Sequence, residues 1–279
     1  MKKISADEII AHYDLILLDA FGVLVDKSGA IAGATPFIDR LNQLGKDYLI
    51  LTNGSKFLPE ESALGYQKKG LNIPAAKVIS SGSLLRDWVL AQNLIGKNAW
   101  VLGPSSCLKV VEVSGLVPVS FEKDADCFVL GNQDGFRFPE DIDILISRVL
   151  HLFNHNKTIP LICPNPDMIY PLGNHQYGIT SGAIAVLVEK SLEALTGTDY
   201  FKFHFLGKPF SPIFEKATSS FLGKKICMIG DQLSTDILGA LNFGITAILV
   251  ETGIANSAAN FSKVKPDYLL ENLLLKSSK

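Results

Sequence analysis

Cysteine is scarce in this chain and scattered: Cys107, Cys127, Cys163 and Cys227 are the only four, and no two form a CxxC pair. Zinc sites and disulfide frameworks need clustered thiols, so neither fits, and a reducing cytoplasm is the expected setting. An excess of charge is also missing, since 26 lysines and arginines face 28 aspartates and glutamates for a formal net charge of -2. That balance provides no basic surface by composition and argues against nucleic acid as a partner. Long apolar runs are absent as well, none reaching the ~20 residues of a membrane span. The start, MKKISADEII, has two lysines with no apolar signal core behind them. The expectation is a soluble, intracellular protein with no membrane partner. What is present is ordinary: 279 residues, 47% hydrophobic and 19% charged, enough for one large domain or two moderate ones.

Strand and helix signals alternate along the chain. YDLILLDA is an apolar run ending in a loop, and ATPFIDRLNQLG then places apolar residues at helical spacing. KDYLILTNGS is a second strand, cut off by Asn-Gly, ahead of the helix PEESALGYQKKG. Toward the C-terminus KKICMIGDQ reads as a strand, STDILGALNFG as a helix capped by Gly244, and ITAILVETG as another strand. Short apolar strands alternating with helices predict an α/β fold, a Rossmann-like doubly wound parallel sheet covered on both faces. Such a sheet binds its ligand at the carboxyl ends of its strands. From about residue 77 to 201 the pattern starts again, with strands in NAWVLG, DADCFVLG and TIPLICPN and helices in PEDIDILISRVLHLF and SGAIAVLVEKSLEAL. The expected organisation is a core made of residues 1–76 and 202–279, with an α/β domain inserted at 77–201.

The strand ends carry the chemistry. In DLILLDAFGVLVD an apolar strand runs into Asp19, and a carboxylate placed there is costly unless it is used. Gly22 lets the backbone turn tightly around a ligand. Thr52 ends LILT, and Asn53, Gly54 and Ser55 can offer N–H groups and hydroxyls to an oxyanion. Lys208 lies in FLGKPFSP between a short apolar strand and a proline-started helix; Asp231 follows ICMIG, and Asp236 begins the next helix. Carboxylates, a lysine and a hydroxyl at one sheet edge make a site for a divalent cation and a phosphate, and hard oxygen ligands suit Mg²⁺.

The set DAFGVL, LTNGS, GKP and GDQLSTD resembles the four motifs of the haloacid dehalogenase superfamily. PNPDMIYP and TSGAIA, in the inserted unit, resemble the large α/β cap of its class IIA, the NagD-like and pyridoxal-phosphatase-like branch. The resemblance spans almost the whole chain. It implies a Mg²⁺-dependent phosphatase acting on a small phosphorylated metabolite, with Asp19 as the nucleophile that takes up the phosphoryl group. Thr52 and Lys208 would bind the phosphate beside Asn53 and Gly54, Lys208 also restraining Asp19. Asp19, the Phe21 carbonyl oxygen and Asp231 would hold the metal, with Asp236 in or just behind its shell. The cap would act as a lid carrying the specificity contacts. Asn165 and Asp167 in PNPD either reach the substrate or form a plain turn. A homodimer through the cap is a further implication.

Phe21 departs from the pattern. Phosphatases of the superfamily carry a second aspartate there, which protonates the leaving group and then activates water. That role is worth ~10² to 10⁴ in rate, or roughly 3 to 5 kcal/mol of barrier. Dehalogenases of the superfamily carry an aromatic residue at this place, since halide leaves without a proton, but their cap is helical. Three readings follow: a phosphatase restricted to leaving groups that need little protonation, a phosphate-binding protein with negligible turnover, and a dehalogenase resting on DAFG alone. Phe21 as plain core packing, with the acid supplied elsewhere, is a further alternative. Asp26 is the nearest substitute acid but reads better as a turn residue. His151 and His155 share a helix face, yet HLFNH lacks the glutamate of a zinc-protease helix, so a solvated face is expected. Asp134 and Arg137 in NQDGFRF are weak candidates for substrate contact.

Overall fold

The structure, a computed structural model, describes residues 2–173, 176–252 and 264–276. They form two compact units, one from residues 1–52, 59–80 and 208–279, the other from 53–58 and 81–207.

The first unit is built on a seven-stranded, all-parallel sheet. With strands numbered along the chain, β1 (Lys2–Lys3), β2 (Leu15–Leu18), β3 (Asp47–Thr52) and β4 (Val78–Ser80) come from its early segments. β12 (Ile226–Gly230), β13 (Thr246–Val250) and β14 (Tyr268–Leu270) come from its last segment. The order is β1-β14-β13-β12-β2-β3-β4. From β2 the chain winds outward through β3 and β4, and from β12 it winds the other way through β13 and β14. Strand order therefore reverses between β2 and β12, the switch point at which such sheets open a crevice beyond their carboxyl ends. All four residues of β2 are buried, although their side chains alternate between faces, so both faces of the sheet are covered. Helix α2 (Ala34–Gln43) contributes Phe37, Ile38 and Leu41 to the core that also holds Ile16, Leu18 and Ile229. A short helix, α1 (Ala6–His12), has a capping box formed by Ser5 and Glu8. Of the strand expected at ITAILVETG, residues 246–250 are extended, and Gly253 lies outside the described residues.

The second unit has its own five-stranded parallel sheet, ordered β11-β8-β7-β5-β6. These are β5 (Asn98–Leu102), β6 (Val117–Val119), β7 (Cys127–Leu130), β8 (Leu161–Cys163) and β11 (Phe203–Phe205). An antiparallel hairpin, β9 (Ile169–Gly173) and β10 (Gln176–Ile179), stands apart from that sheet. Helices α6 (Glu140–Asn154) and α7 (Ser181–Thr196) bury Leu145, Val149, Ile184 and Val188 against Trp100 and Phe128. Strand pairing sets where the chain passes between units. β4 pairs with β3 and β11 with β8, so the passages fall after Ser80 and after Gly207 rather than at residues 77 and 201. Residues 53–58 group with the second unit, where Ser55 Oγ donates to the Gly131 carbonyl at 2.5 Å. Among the described residues no helix is long and apolar enough to cross a membrane.

Candidate active site

Asp19 follows β2 directly, and its N–H donates to the Ile229 carbonyl of β12 at 2.9 Å, which fixes it at the switch point. Lys208, only 2% exposed, reaches it from the start of the last segment: Nζ lies 2.6 Å from Asp19 Oδ1 and 2.8 Å from Asp236 Oδ1. The same ammonium donates to the Leu51 carbonyl near the end of β3 at 2.7 Å. One lysine thus links the edges of β2 and β3 with the loop after β12. Burial pushes the Asp19 carboxyl up to about 7, while Lys208 pulls it back and Asp236 adds to the push. On Lys208 burial opposes the charge, but Asp19 and Asp236 outweigh it and hold the ammonium above its usual range.

Asp236 is placed by an unusual turn. Residues Leu233–Ile237 form a single π-type turn before α9 (Leu238–Phe243), and the Asp236 carboxylate folds back to accept N–H bonds from Asp231 and Gln232, each at 3.1 Å. Gly244, with φ at 81°, closes that helix. On the other side, Gly22 is held at φ +89°, and a Cβ there would run into the Asp231 carboxylate. Its N–H donates to the Val25 carbonyl and its own carbonyl accepts from Thr252 Oγ1, both at 2.9 Å. Gly22 is thereby wedged between Asp231 and Thr252.

The residues fit a small divalent cation. Asp19, Asp231 and Asp236 are all buried, and one oxygen of each lies within 4.8 Å of the others. Three carboxylates at that spacing repel unless cations lie among them, and a single lysine does not balance them. Their oxygens are hard donors of the kind Mg²⁺ takes.

Thr52 sits half-buried at the carboxyl end of β3, in the first unit. Asn53, the next residue, groups with the second unit, where its Nδ2 donates to Asp167 Oδ1 at 2.7 Å. The Asp167 N–H donates in turn to Asn165 Oδ1 at 2.9 Å, and Asn53 and Asn165 are both buried. Thr180 Oγ1 and the Gly182 N–H donate to the Asp167 carbonyl. Asn53, Asn165 and Asp167 thus form one connected cluster, and Gly54 beside it is exposed.

Phe21 is not core packing: the residue is 39% exposed. Asp26 is a turn residue, its Oδ1 accepting from the Ser28 N–H, the Ser28 hydroxyl and the Gly29 N–H. Those bonds, the Ser28 hydroxyl's first, hold it below the usual carboxyl range. Asp134 pairs with Lys56 at 3.6 Å, and Arg137 with Asp141 at 2.7 Å. His151 near the end of α6 and His155 just beyond it are both exposed, their ring centroids 4.3 Å apart with the planes tilted by 42°. Two residues of the site were not anticipated. Thr252, in the turn two residues after β13, carries no more signal in the sequence than any other threonine. Tyr66 reads as core in α3 (Pro59–Gln67), yet burial first and then the charge of Asp19 raise its hydroxyl well above the usual phenol range.

Two family models match the chain, one described as haloacid dehalogenase-like hydrolase over residues 16–117 and one as HAD-hydrolase-like over residues 205–275. Dihydroxyacetone phosphatase of Corynebacterium glutamicum is 27% identical over 245 residues, which is 87% of this chain and 82% of that protein. Acid sugar phosphatase of Staphylococcus aureus is 28% identical over 268 residues, 94% of this chain and 96% of that one. A crystal structure from Cytophaga hutchinsonii, described as a possible sugar phosphatase of the HAD superfamily, aligns with a TM-score of 0.83 at 28% identity and covers 99% of both chains.

Proposed function

Since the chain belongs to the haloacid dehalogenase-like hydrolases, we propose that it is a Mg²⁺-dependent phosphatase that cleaves a small phosphate ester through a phospho-aspartate on Asp19. The observation that carries this reading is Lys208, a buried ammonium 2.6 Å from Asp19 and 2.8 Å from Asp236. It favours an ionised Asp19 in a place where burial disfavours one, and its grip on Oδ1 directs Oδ2 at the substrate.

In the first step Asp19 Oδ2 attacks phosphorus, the bond from phosphorus to the ester oxygen breaks, and the leaving oxygen takes its proton from water. In the second step water attacks the same phosphorus, releasing inorganic phosphate and regenerating the carboxylate. Lys208, the Thr52 hydroxyl, Asn53 and Gly54 bind phosphoryl oxygens. Asp19, the Phe21 carbonyl, Asp231 and Asp236 would hold Mg²⁺, whose bound charge would offset the negative charge of the phosphate oxygens. Substrate selection is assigned to the second unit, with Asn165 and Asp167 as its contacts and that unit as the lid. The exposed Ile169, Tyr177 and Ile179 of the hairpin and Leu187 of α7 support a homodimer through the same unit. Four free, buried cysteines suit a cytoplasmic location.

The test is hydrolysis of a panel of phosphorylated metabolites and nitrophenyl phosphate with Mg²⁺, by wild type and by Asp19→Asn of intact fold. Loss of turnover in the variant supports the reading, and wild-type turnover in it would end it. Phe21 favours a second reading, a phosphate-binding protein with negligible catalysis. That reading predicts micromolar phosphate binding with no Asp19-dependent release of nitrophenol.

A further inference from the structure

We propose that Ser81 is a positioning residue for phosphate: its hydroxyl fixes the backbone of the 53–55 loop so that the Gly54 and Ser55 N–H groups face the phosphoryl oxygens. The proposal rests on the phosphatase reading above, in which that loop binds phosphate, and adds a residue that the sequence did not single out. Parallel pairing of β3 and β4 sets Thr52 opposite Ser80, so Asn53 and Ser81 are the first residues beyond two neighbouring strand ends. There the Ser81 hydroxyl donates to the Asn53 carbonyl at 2.7 Å and reaches the Gly54 carbonyl at 3.4 Å. The Gly82 N–H donates to that same Gly54 carbonyl at 3.5 Å. Both residues are buried, Ser81 completely.

The direction follows from the geometry of the peptide. In a trans peptide the C=O of one residue and the N–H of the next point opposite ways, and neither peptide of this loop is cis. An Asn53 carbonyl drawn inward to Ser81 therefore turns the Gly54 N–H outward. A Gly54 carbonyl drawn to the same buried turn does the same for the Ser55 N–H. Outward is where the loop is open, since Gly54 is exposed while Asn53 and Ser55 on either side of it are buried. Successive N–H groups turned to one side make a concavity that receives an anion. The loop is braced against rolling over: Asn53 Nδ2 donates to Asp167 Oδ1 at 2.7 Å and Ser55 Oγ to the Gly131 carbonyl at 2.5 Å. Those two bonds hold side chains, whereas the Ser81 hydroxyl holds the backbone that carries the donors. Gly82 allows the approach, because a Cβ there would come within 2.6 Å of the Ser55 carbonyl oxygen. Ser114 shows what a purely structural serine does in the same unit. It is also buried, at the end of a helix over Ser105–Ser114, and its hydroxyl donates at 2.6 Å to the Val111 carbonyl of its own last turn.

The experiment measures the affinity of the full chain for inorganic phosphate by calorimetry with Mg²⁺ present, in wild type, Ser81→Ala and Ser114→Ala, with folding checked by urea unfolding. Ser81→Ala is expected to bind phosphate about 10-fold more weakly than wild type, the size of one hydrogen bond to a charged group. Ser114→Ala is expected to keep wild-type affinity whatever stability it loses. A measurement on wild type alone covers the case in which Ser81→Ala does not fold: the Gly54 and Ser55 amide resonances are expected to shift when phosphate is added. Unchanged affinity in Ser81→Ala, an equal loss in Ser114→Ala, or unmoved amide resonances with phosphate bound overturns the proposal and leaves the phosphatase reading standing. Phosphate binding that depends on Ser81, with no Asp19-dependent release of nitrophenol, keeps the proposal and removes the phosphatase reading. No phosphate binding by wild type overturns both.

Discussion

Phe21 and Thr252 act at the scale of single residues, one through its side chain and one through what it holds. An aspartate placed at Phe21 would enter an exposed position, so its effect on stability is expected within about 0.5 kcal/mol in urea unfolding. Its effect on chemistry is expected to be larger. Phe21→Asp supplies a proton to the leaving oxygen and raises alkyl phosphate turnover by up to ~10²-fold; a steady-state comparison on ethyl phosphate reads this directly. Thr252 holds the Gly22 carbonyl at 2.9 Å and so fixes the peptide next to the Phe21 carbonyl. Thr252→Val removes about 1 kcal/mol of hydrogen bonding, which corresponds to roughly fivefold weaker Mg²⁺ binding by calorimetry. Thr252→Ser is expected to keep wild-type affinity, and equal affinity in the valine variant would rule the positioning role out. Asp19 and Asp231 stood out in the sequence because a charged residue at the end of an apolar strand has no cheap structural reason to be there, and Lys208 because it lies in GKP between a short apolar strand and a proline-started helix. Thr252 did not, because its contact is with a backbone carbonyl 230 positions away. Nothing in a threonine's own neighbourhood reports such a bond.

Among the elements, those with long apolar runs or clear helical spacing were readable. LILL, DYLILT and ICMIG are strands where the sequence predicts them, and α6 and α7 follow their apolar spacing. Short elements were not readable. β4 and β6 have three residues each, too few for a period to show. The hairpin β9–β10 mixes apolar and polar residues, and its Ile169, Leu172, Tyr177 and Ile179 are exposed. The expectation for STDILGALNFG as one helix missed the π-type turn, whose extra residue per turn brings Asp236 back onto the Asp231 N–H. The PNPD turn gives an element-scale prediction. Asp167→Ala deletes the acceptor of the 2.7 Å bond from buried Asn53. A loss of about 1 to 3 kcal/mol in urea unfolding of the second unit is expected. An unchanged midpoint would mean that the turn does not depend on this bond.

For the whole molecule, metal binding and folding are linked. Only the native first unit gathers Asp19, Asp231 and Asp236, so Mg²⁺ at a hundred times its Kd is expected to add about 2.7 kcal/mol. For a unit of this size that is a rise of roughly 5 to 10 °C in its melting temperature. Calorimetry with and without a chelator measures it, and Asp231→Asn should cancel the rise. The first unit is also assembled from three separated stretches of chain, while most of the second is one continuous stretch, 81–207. On the ribosome that layout imposes a schedule. Asp19 emerges 189 positions ahead of the lysine that neutralises it, which at the usual pace of synthesis is a wait of roughly 10 to 40 s. Through that interval β2 has its β3 neighbour but lacks β12, and the carboxylate stays in water rather than entering an incomplete core. The middle of the chain is meanwhile free to fold, so the catalytic unit, although begun first, is the last to be finished.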